Sequence, residues 1–188
     1  FIKYGMPIFI DKQLTSTRED LEVLLAMTGP DYPLMAGSPI RFTRELRNAK
    51  ATRCWQAVKS IHGMSRVSWM RYGHHIFEGI AAIWGTDILW VRSLCKEKGH
   101  DIVQLRYRSG MNVILEFIEN IQLPIQFTCF SETEPAFSIP FEDFFHSFRE
   151  MMKSFITMVE HGKKTIAYEE IVSIARVILA GDISKRLD

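Results

Sequence analysis

The sequence predicts an α+β protein: an open, mostly antiparallel sheet with helices on one face, preceded by a short βαβ unit. Three observations predict it. Residues 1–37 read as strand, helix and strand with short links. Five apolar segments between residues 58 and 130 have the length and punctuation of strands. Two long stretches after residue 140 carry apolar residues at steps of three and four.

Each element has its own local cause. Phe1-Ile2-Lys3-Tyr4-Gly5 reads as the last turn of a helix closed by a glycine. A free-standing domain rarely opens on such a turn, so the chain is expected to be a fragment. Pro7-Ile8-Phe9-Ile10 is a continuous apolar run, the pattern of a strand buried on both faces. Thr17 to Met27 forms a helix, with Ser16 or Thr17 as N-cap, Glu19 and Asp20 suited to its first turn, and Leu21, Leu24 and Leu25 as its apolar stripe. Gly29-Pro30-Asp31 stops it, and Pro33-Leu34-Met35-Ala36-Gly37 reads as a second buried strand. Two strands make no stable parallel sheet alone, which fits the fragment reading. Strands then follow at Val58 to Ile61, Ile88 to Leu94, Ile102 to Arg108, Met111 to Ile118 and Ile125 to Phe130, with Ser109-Gly110 as a hairpin turn. A helix from Ile76 to Trp84 ends at Gly85. Phe141 to His161 carries Phe144, Phe145, Phe148, Met151, Met152, Phe155 and Val159 as a core or interface stripe, and Tyr168 to Leu179 carries Ile171, Ile174, Ala175 and Ile178. The division expected is 1–37 and 38–188.

Composition removes several functional classes. The chain has 188 residues, 47% of them apolar, enough for one substantial core. Its 23 basic and 22 acidic side chains are scattered, and the densest run, Lys96-Glu97-Lys98, is broken by an acid. A nucleic-acid-binding protein should show a clustered basic excess, so no nucleic-acid partner is expected. No run of about 18 apolar residues exists to span a bilayer, and no secretory signal opens the chain. The 3 cysteines, Cys54, Cys95 and Cys129, are odd in number and lack CxxC spacing. Reduced thiols in a cytoplasmic setting are therefore expected rather than a disulfide framework or a zinc ribbon.

A few residues offer chemistry. Asp11-Lys12-Gln13 lies just past the first strand, and open α/β sheets bind ligands outside the carboxyl ends of their strands. A lysine there can donate a hydrogen bond or relay a proton, and its ammonium responds to desolvation; a solvated loop lysine is the alternative. His74-His75-Ile76-Phe77-Glu78 opens a helix, placing His75 and Glu78 three apart. An imidazole near a helix N-terminus tends to be neutral and suited to proton transfer. Structural capping and metal ligation by His74, His75 and Glu78 remain open beside it, although the spacing is not H-E-x-x-H. Arg41 follows the second strand, suited to an anionic group or to an ion pair. Trp55, Trp69, Trp84 and Trp90 read as packing.

Together and in order, these pieces resemble the Gfo/Idh/MocA family of nicotinamide-dependent oxidoreductases. The residues that carry the resemblance are Gly5-x-Pro7-Ile8-Phe9-Ile10-Asp11-Lys12-Gln13-Leu14, Pro33-Leu34-Met35-Ala36-Gly37-x-x-x-Arg41-Phe42, His75-x-x-Glu78 with Gly85, and Gly181-Asp182-Ile183-Ser184. Lys12 matches the lysine of the family's E-K-P sequence, and His75-x-x-Glu78 its H-x-x-D. Asp11 and Gln13 depart from E-K-P. Arg71 stands where many members place an acid four residues before the histidine. No G-x-G-x-x-G exists in this chain, so the chain alone should bind NAD or NADP poorly. The resemblance implies that residues 1–37 are the tail of a truncated Rossmann domain and 38–188 a substrate-binding and oligomerisation domain. It implies an NAD(P)-dependent dehydrogenase acting on a sugar, cyclitol or related polyol. In that scheme His75 is the base and Lys12 polarises the reacting oxygen beside the cofactor. Arg41, Arg71 and Glu78 are then substrate-side residues, no metal is used, and the open sheet joins subunits of a homo-oligomer. Two rivals stay open: a non-catalytic ligand-binding or scaffold relative, and a metal-dependent hydrolase using His74, His75 and Glu78.

Overall fold

The computed structural model describes residues 1–95 and 97–187; Lys96, in the broken basic run, and Asp188 lie outside the described residues. Two sheets form. β1 (Ile8–Asp11) and β2 (Leu34–Gly37) pair in parallel, joined by α1 (Arg18–Met27). Thr17 caps α1 by accepting from the Asp20 amide at 3.1 Å, as its sequence predicts. A 3-10 turn over Ile2–Tyr4 closes on Gly5 at φ 65°.

The larger sheet has six strands in the order β4-β5-β6-β3-β7-β8. They are β3 (Val58–Arg66), β4 (Ile88–Ser93), β5 (His100–Tyr107), β6 (Asn112–Ile118), β7 (Gln126–Ser131) and β8 (Phe137–Pro140). Only β3–β6 is parallel; the other pairs run antiparallel. Burial alternates strictly along β5 and β6, so one face is wet and the other is core. The core face sets Val103, Leu105, Val113, Leu115, Phe117 and Phe127 against helix residues Ile76, Phe77, Ile80, Ile174 and Ile178. Those helices are α3 (His74–Trp84) and α5 (Tyr168–Leu187). A second apolar cluster joins Leu21, Leu34 and Met35 to Met151 and Met158 of α4 (Phe144–His161) and to Ala175 and Leu179 of α5. Thus α5 belongs to both cores. No helix among the described residues is long and apolar enough to cross a membrane.

Several expectations need correction. β1 is not buried on both faces: Ile8, Phe9 and Ile10 are half-buried, because β2 is its one partner. The stripe of α4 is only partly core: Met151 is fully buried, whereas Phe145 is 81% exposed and Phe148 is also exposed. An additional helix, α2 (Arg44–Thr52), and the short strand β8 appear where no element was expected. α2 buries a single leucine, Leu46, so it has no apolar stripe to read.

Candidate functional site

The carboxyl ends of β1 and β2 lie side by side, and each delivers a functional residue just past its last position. Lys12 follows β1 and donates its backbone amide to the Gly37 carbonyl at 2.9 Å. Its φ is 74°, a left-handed conformation that a lysine rarely adopts. Ser38 follows β2, is fully buried, and caps a 3-10 turn over Pro39–Phe42 by accepting from the Ile40 amide.

The third contributor is the start of α3. A π-helical turn over Trp69–Gly73 runs directly into it, and Gly73 is itself helical at φ −55° and ψ −39°. His75 is therefore not at a free helix N-terminus, which corrects the dipole argument. Its Nδ1 lies 2.7 Å from Ser38 Oγ, and Tyr72 packs edge-on against its ring at 5.2 Å. The pKa of His75 is pushed down to about 4, first by burial, then by His74 and by Lys12; Glu78 opposes the shift. Lys12 and His75 are thus close enough to act on one another electrostatically, and His75 is neutral at pH 7.

The acid that sequence spacing assigned to His75 serves other partners. Glu78 is fully buried; its Oε1 accepts from Arg41 Nε at 2.6 Å, and its Oε2 lies 3.2 Å from His74 Nε2, one helical turn away. That second contact lacks the alignment of a hydrogen bond. Arg41 also donates to Glu170 of α5 at 2.6 Å. Burial works against both charges, but Arg41 and His74 outweigh it and hold the Glu78 pKa below the usual carboxylate range. The Glu78 and Glu170 carboxylates likewise raise the pKa of Arg41. Gly37 is needed here: a Cβ on it would stand 3.0 Å from Glu78 Oε1.

The sequence-predicted residues therefore divide. Lys12 stands just past β1 and His75 on α3 against Ser38, near enough for the lysine's charge to lower the histidine's pKa. Arg41 and Glu78 meet beneath them and are spent on each other and on Glu170. Arg71 is exposed in the π-turn, with no ion pair or side-chain hydrogen bond among the described residues. His74 and His75 face different partners, Glu78 and Ser38, and do not converge as metal ligands would. Sequence reasoning passed over Ser38 and Glu170; the Ser-Pro pair closing a strand signals the first, and no local signal marks the second.

A nicotinamide dinucleotide does not fit on these residues alone. The N-terminus of α1 follows β1, but Thr17 already caps it and Glu19 and Asp20 occupy its first turn. Carboxylates there repel a pyrophosphate rather than bind it.

A short parallel pair of strands ahead of an open mixed sheet of six strands with helices packed on it is the fold of Gfo/Idh/MocA-type oxidoreductases, the fold the resemblance implies. Comparison with solved structures bears this out. The chain is similar to myo-inositol 2-dehydrogenase from Lactobacillus plantarum, with a TM-score of 0.79 and 13% identity over 99% of this chain and 73% of that one. It is similar to GenD2 from gentamicin A biosynthesis, solved in complex with NAD, with a TM-score of 0.78 and 11% identity over 98% of this chain and 71% of that one. A third likeness is to KijD10, a 3-ketoreductase from Actinomadura kijaniata solved with TDP-benzene and NADP, with a TM-score of 0.69 and 13% identity over 97% of this chain and 71% of that one. At these identities the likeness is one of fold. No family model matches the chain, and no curated protein matches it.

Proposed function

We propose that this chain is the C-terminal, substrate-facing part of an NAD(P)-dependent oxidoreductase that interconverts a hydroxyl and a ketone on a sugar, cyclitol or related polyol. The carrying observation is the pairing of Lys12 with a neutral, buried His75 at the carboxyl ends of two parallel strands. The nicotinamide supplies the hydride chemistry, and the dinucleotide is held by parts of the protein outside this chain. The chain's own share is proton handling.

In this reading the His75 tautomer carries its proton on Nδ1 and donates it to Ser38 Oγ. Nε2 then keeps its lone pair and takes the hydroxyl proton in the oxidising direction. A histidine with a pKa near 4 is a weak base in the resting site. The Lys12 ammonium compensates by stabilising negative charge on the reacting oxygen, which makes the hydroxyl more acidic and lowers the basicity demanded of His75. The Glu78–Arg41–Glu170 ion pairs fix the helix that bears His75 against the end of β2. Tyr72 and Ser38 hold the ring from two sides. Self-association through the open sheet face belongs to the same reading, and sedimentation of the intact protein reads it directly.

The test is made on the intact protein, with NAD(P)H formation followed across a panel of polyols. Lys12→Met and His75→Gln are each expected to lower kcat by roughly 10²- to 10⁴-fold while dinucleotide binding persists. The 188-residue chain by itself is expected to bind neither dinucleotide measurably. Turnover that survives both substitutions sinks the catalytic assignment. Absence of turnover with every polyol favours the non-catalytic ligand-binding or scaffold rival, which Gln13 in place of a proline and the exposed Arg71 in place of an acid motivate.

A further inference from the structure

We propose a metal site on the turn between β4 and β5, formed by Cys95, Glu97 and His100 and taking a borderline divalent ion of the Zn²⁺ kind. The site lies apart from Lys12 and His75 and has no part in the proton chemistry above.

The ligand atoms of these three residues lie within 4.8 Å of one another. A tetrahedral zinc site, with bonds of about 2.0–2.3 Å, places its ligands about 3.3–3.8 Å apart. The turn must therefore contract by about 1 Å at its widest. Gly99 sits at φ 80° in the middle of the turn, and the backbone closes around it through Leu94 N to Ile102 O at 2.7 Å and Glu119 N to Gly99 O at 2.8 Å. Ser93 Oγ donates to the Cys95 carbonyl at 3.2 Å and fixes where that residue leaves the strand.

The independent observation is the group behind the histidine. His100 Nε2 lies 2.7 Å from Oε1 of Glu116, on the neighbouring strand β6. A carboxylate bonded to one ring nitrogen orients an imidazole and raises the basicity of the other, the arrangement found behind metal-bound histidines. Nδ1 is then the nitrogen left to bind. Glu119 adds a further carboxylate beside the turn, with Oε2 3.5 Å from where a Cβ on Gly99 would stand. A thiolate, an imidazole and a carboxylate make a donor set for zinc rather than for calcium or magnesium, which prefer oxygen alone. The fourth position falls to water. Such a site would pin the β4–β5 turn at the edge of the sheet, where β4 has no further strand beside it among the described residues.

Co²⁺ titration under reducing conditions tests this, because a cobalt–thiolate bond gives a charge-transfer absorption that a carboxylate or imidazole alone does not. One equivalent of Co²⁺ per chain is expected to develop that band, and Zn²⁺ to displace it. Cys95→Ser should abolish it and Cys54→Ser leave it intact. Glu116→Gln should weaken binding by about 10- to 100-fold. Should Cys95→Ser fail to fold, judged by circular dichroism, His100→Ala carries the same test. No thiolate band, or a band that survives Cys95→Ser, overturns the proposal.

Discussion

His75 shows how far one side chain's chemistry depends on its surroundings. A histidine in an unfolded chain titrates near 6.5, and this one is pushed down to about 4, with burial the largest cause. Between those values the unfolded chain binds a proton that the folded chain refuses. Stability therefore rises with pH across that window and is lost as pH falls from 6.5 toward 4. Two and a half units correspond to about 3 kcal/mol. Denaturant melts at several pH values should show this loss, and His75→Gln should flatten it. A His75→Gln profile as steep as the parent's between pH 4 and 6.5 would refute the assignment. Lys12 contributes to the same shift, so Lys12→Met should move the His75 titration upward in an NMR pH series. The pairing of lysine and histidine is legible only through the family resemblance, since the residues by themselves leave Lys12 open to a solvated loop and His75 to helix capping. The cause of the histidine's neutrality was not, because burial by Ser38, Tyr72 and the sheet is a tertiary property.

The segment from Trp69 to Trp84 accounts for the position of that histidine. Sequence periodicity predicts the apolar run Ile76 to Trp84, and the run is there. What it misses is the π-turn before it, because its cause lies in another element. The Trp69 amide donates to Asp101 Oδ2 at 2.8 Å and the indole Nε1 to the Ile178 carbonyl at 2.8 Å. Asp101 is in turn paired with Lys185. Glycines on two elements make room for the ring: a Cβ on Gly181 of α5 would stand 2.4 Å from Trp69 Nε1, and one on Gly73 2.5 Å from Cε3. Gly181 is thereby explained. In an open helix, Gly→Ala gains up to about 1 kcal/mol. Here the methyl meets a buried ring held by two hydrogen bonds, so overpacking decides the sign. Gly181→Ala should destabilise by about 1–3 kcal/mol. Gly162→Ala cannot serve as the control, because Gly162 sits at φ 65°. Ala180→Gly, which leaves no ring to collide with, should lose only about 1 kcal/mol. A stabilised Gly181→Ala protein would show that the indole yields and that α3 is not positioned from α5.

Across the whole molecule, the two apolar cores meet along α5, and between them runs one buried polar connection. Arg41, just past β2, reaches Glu78 on α3 and Glu170 on α5, so the βαβ unit, the sheet's helix and the closing helix are tied at a single guanidinium. The architecture at this scale was the most legible part, since the punctuated apolar runs of the strands and the apolar stripe of α5 are written locally, although alternation along β6 is imperfect in the sequence, with Ile114 and Ile118 on its wetter face. The ion-pair network was legible only as a list of charges, because its members are separated by 37 and 129 positions in the chain. Its energetics follow from desolvation. Glu78 is fully buried, and a buried carboxylate that loses its cation costs far more than the intact pair contributes. Arg41→Ala should therefore cost about 3–5 kcal/mol. Glu170→Gln, which leaves Arg41 to neutralise Glu78, should cost much less. Adding Glu78→Gln to Arg41→Ala removes the stranded charge and should recover part of the loss. Equilibrium unfolding of the two single variants and the double variant measures the coupling directly. If Arg41→Ala costs no more than Glu170→Gln, or if the second substitution recovers nothing, then Glu78 is solvated or protonated in the fold. In that case the three elements are held together by their apolar cores alone.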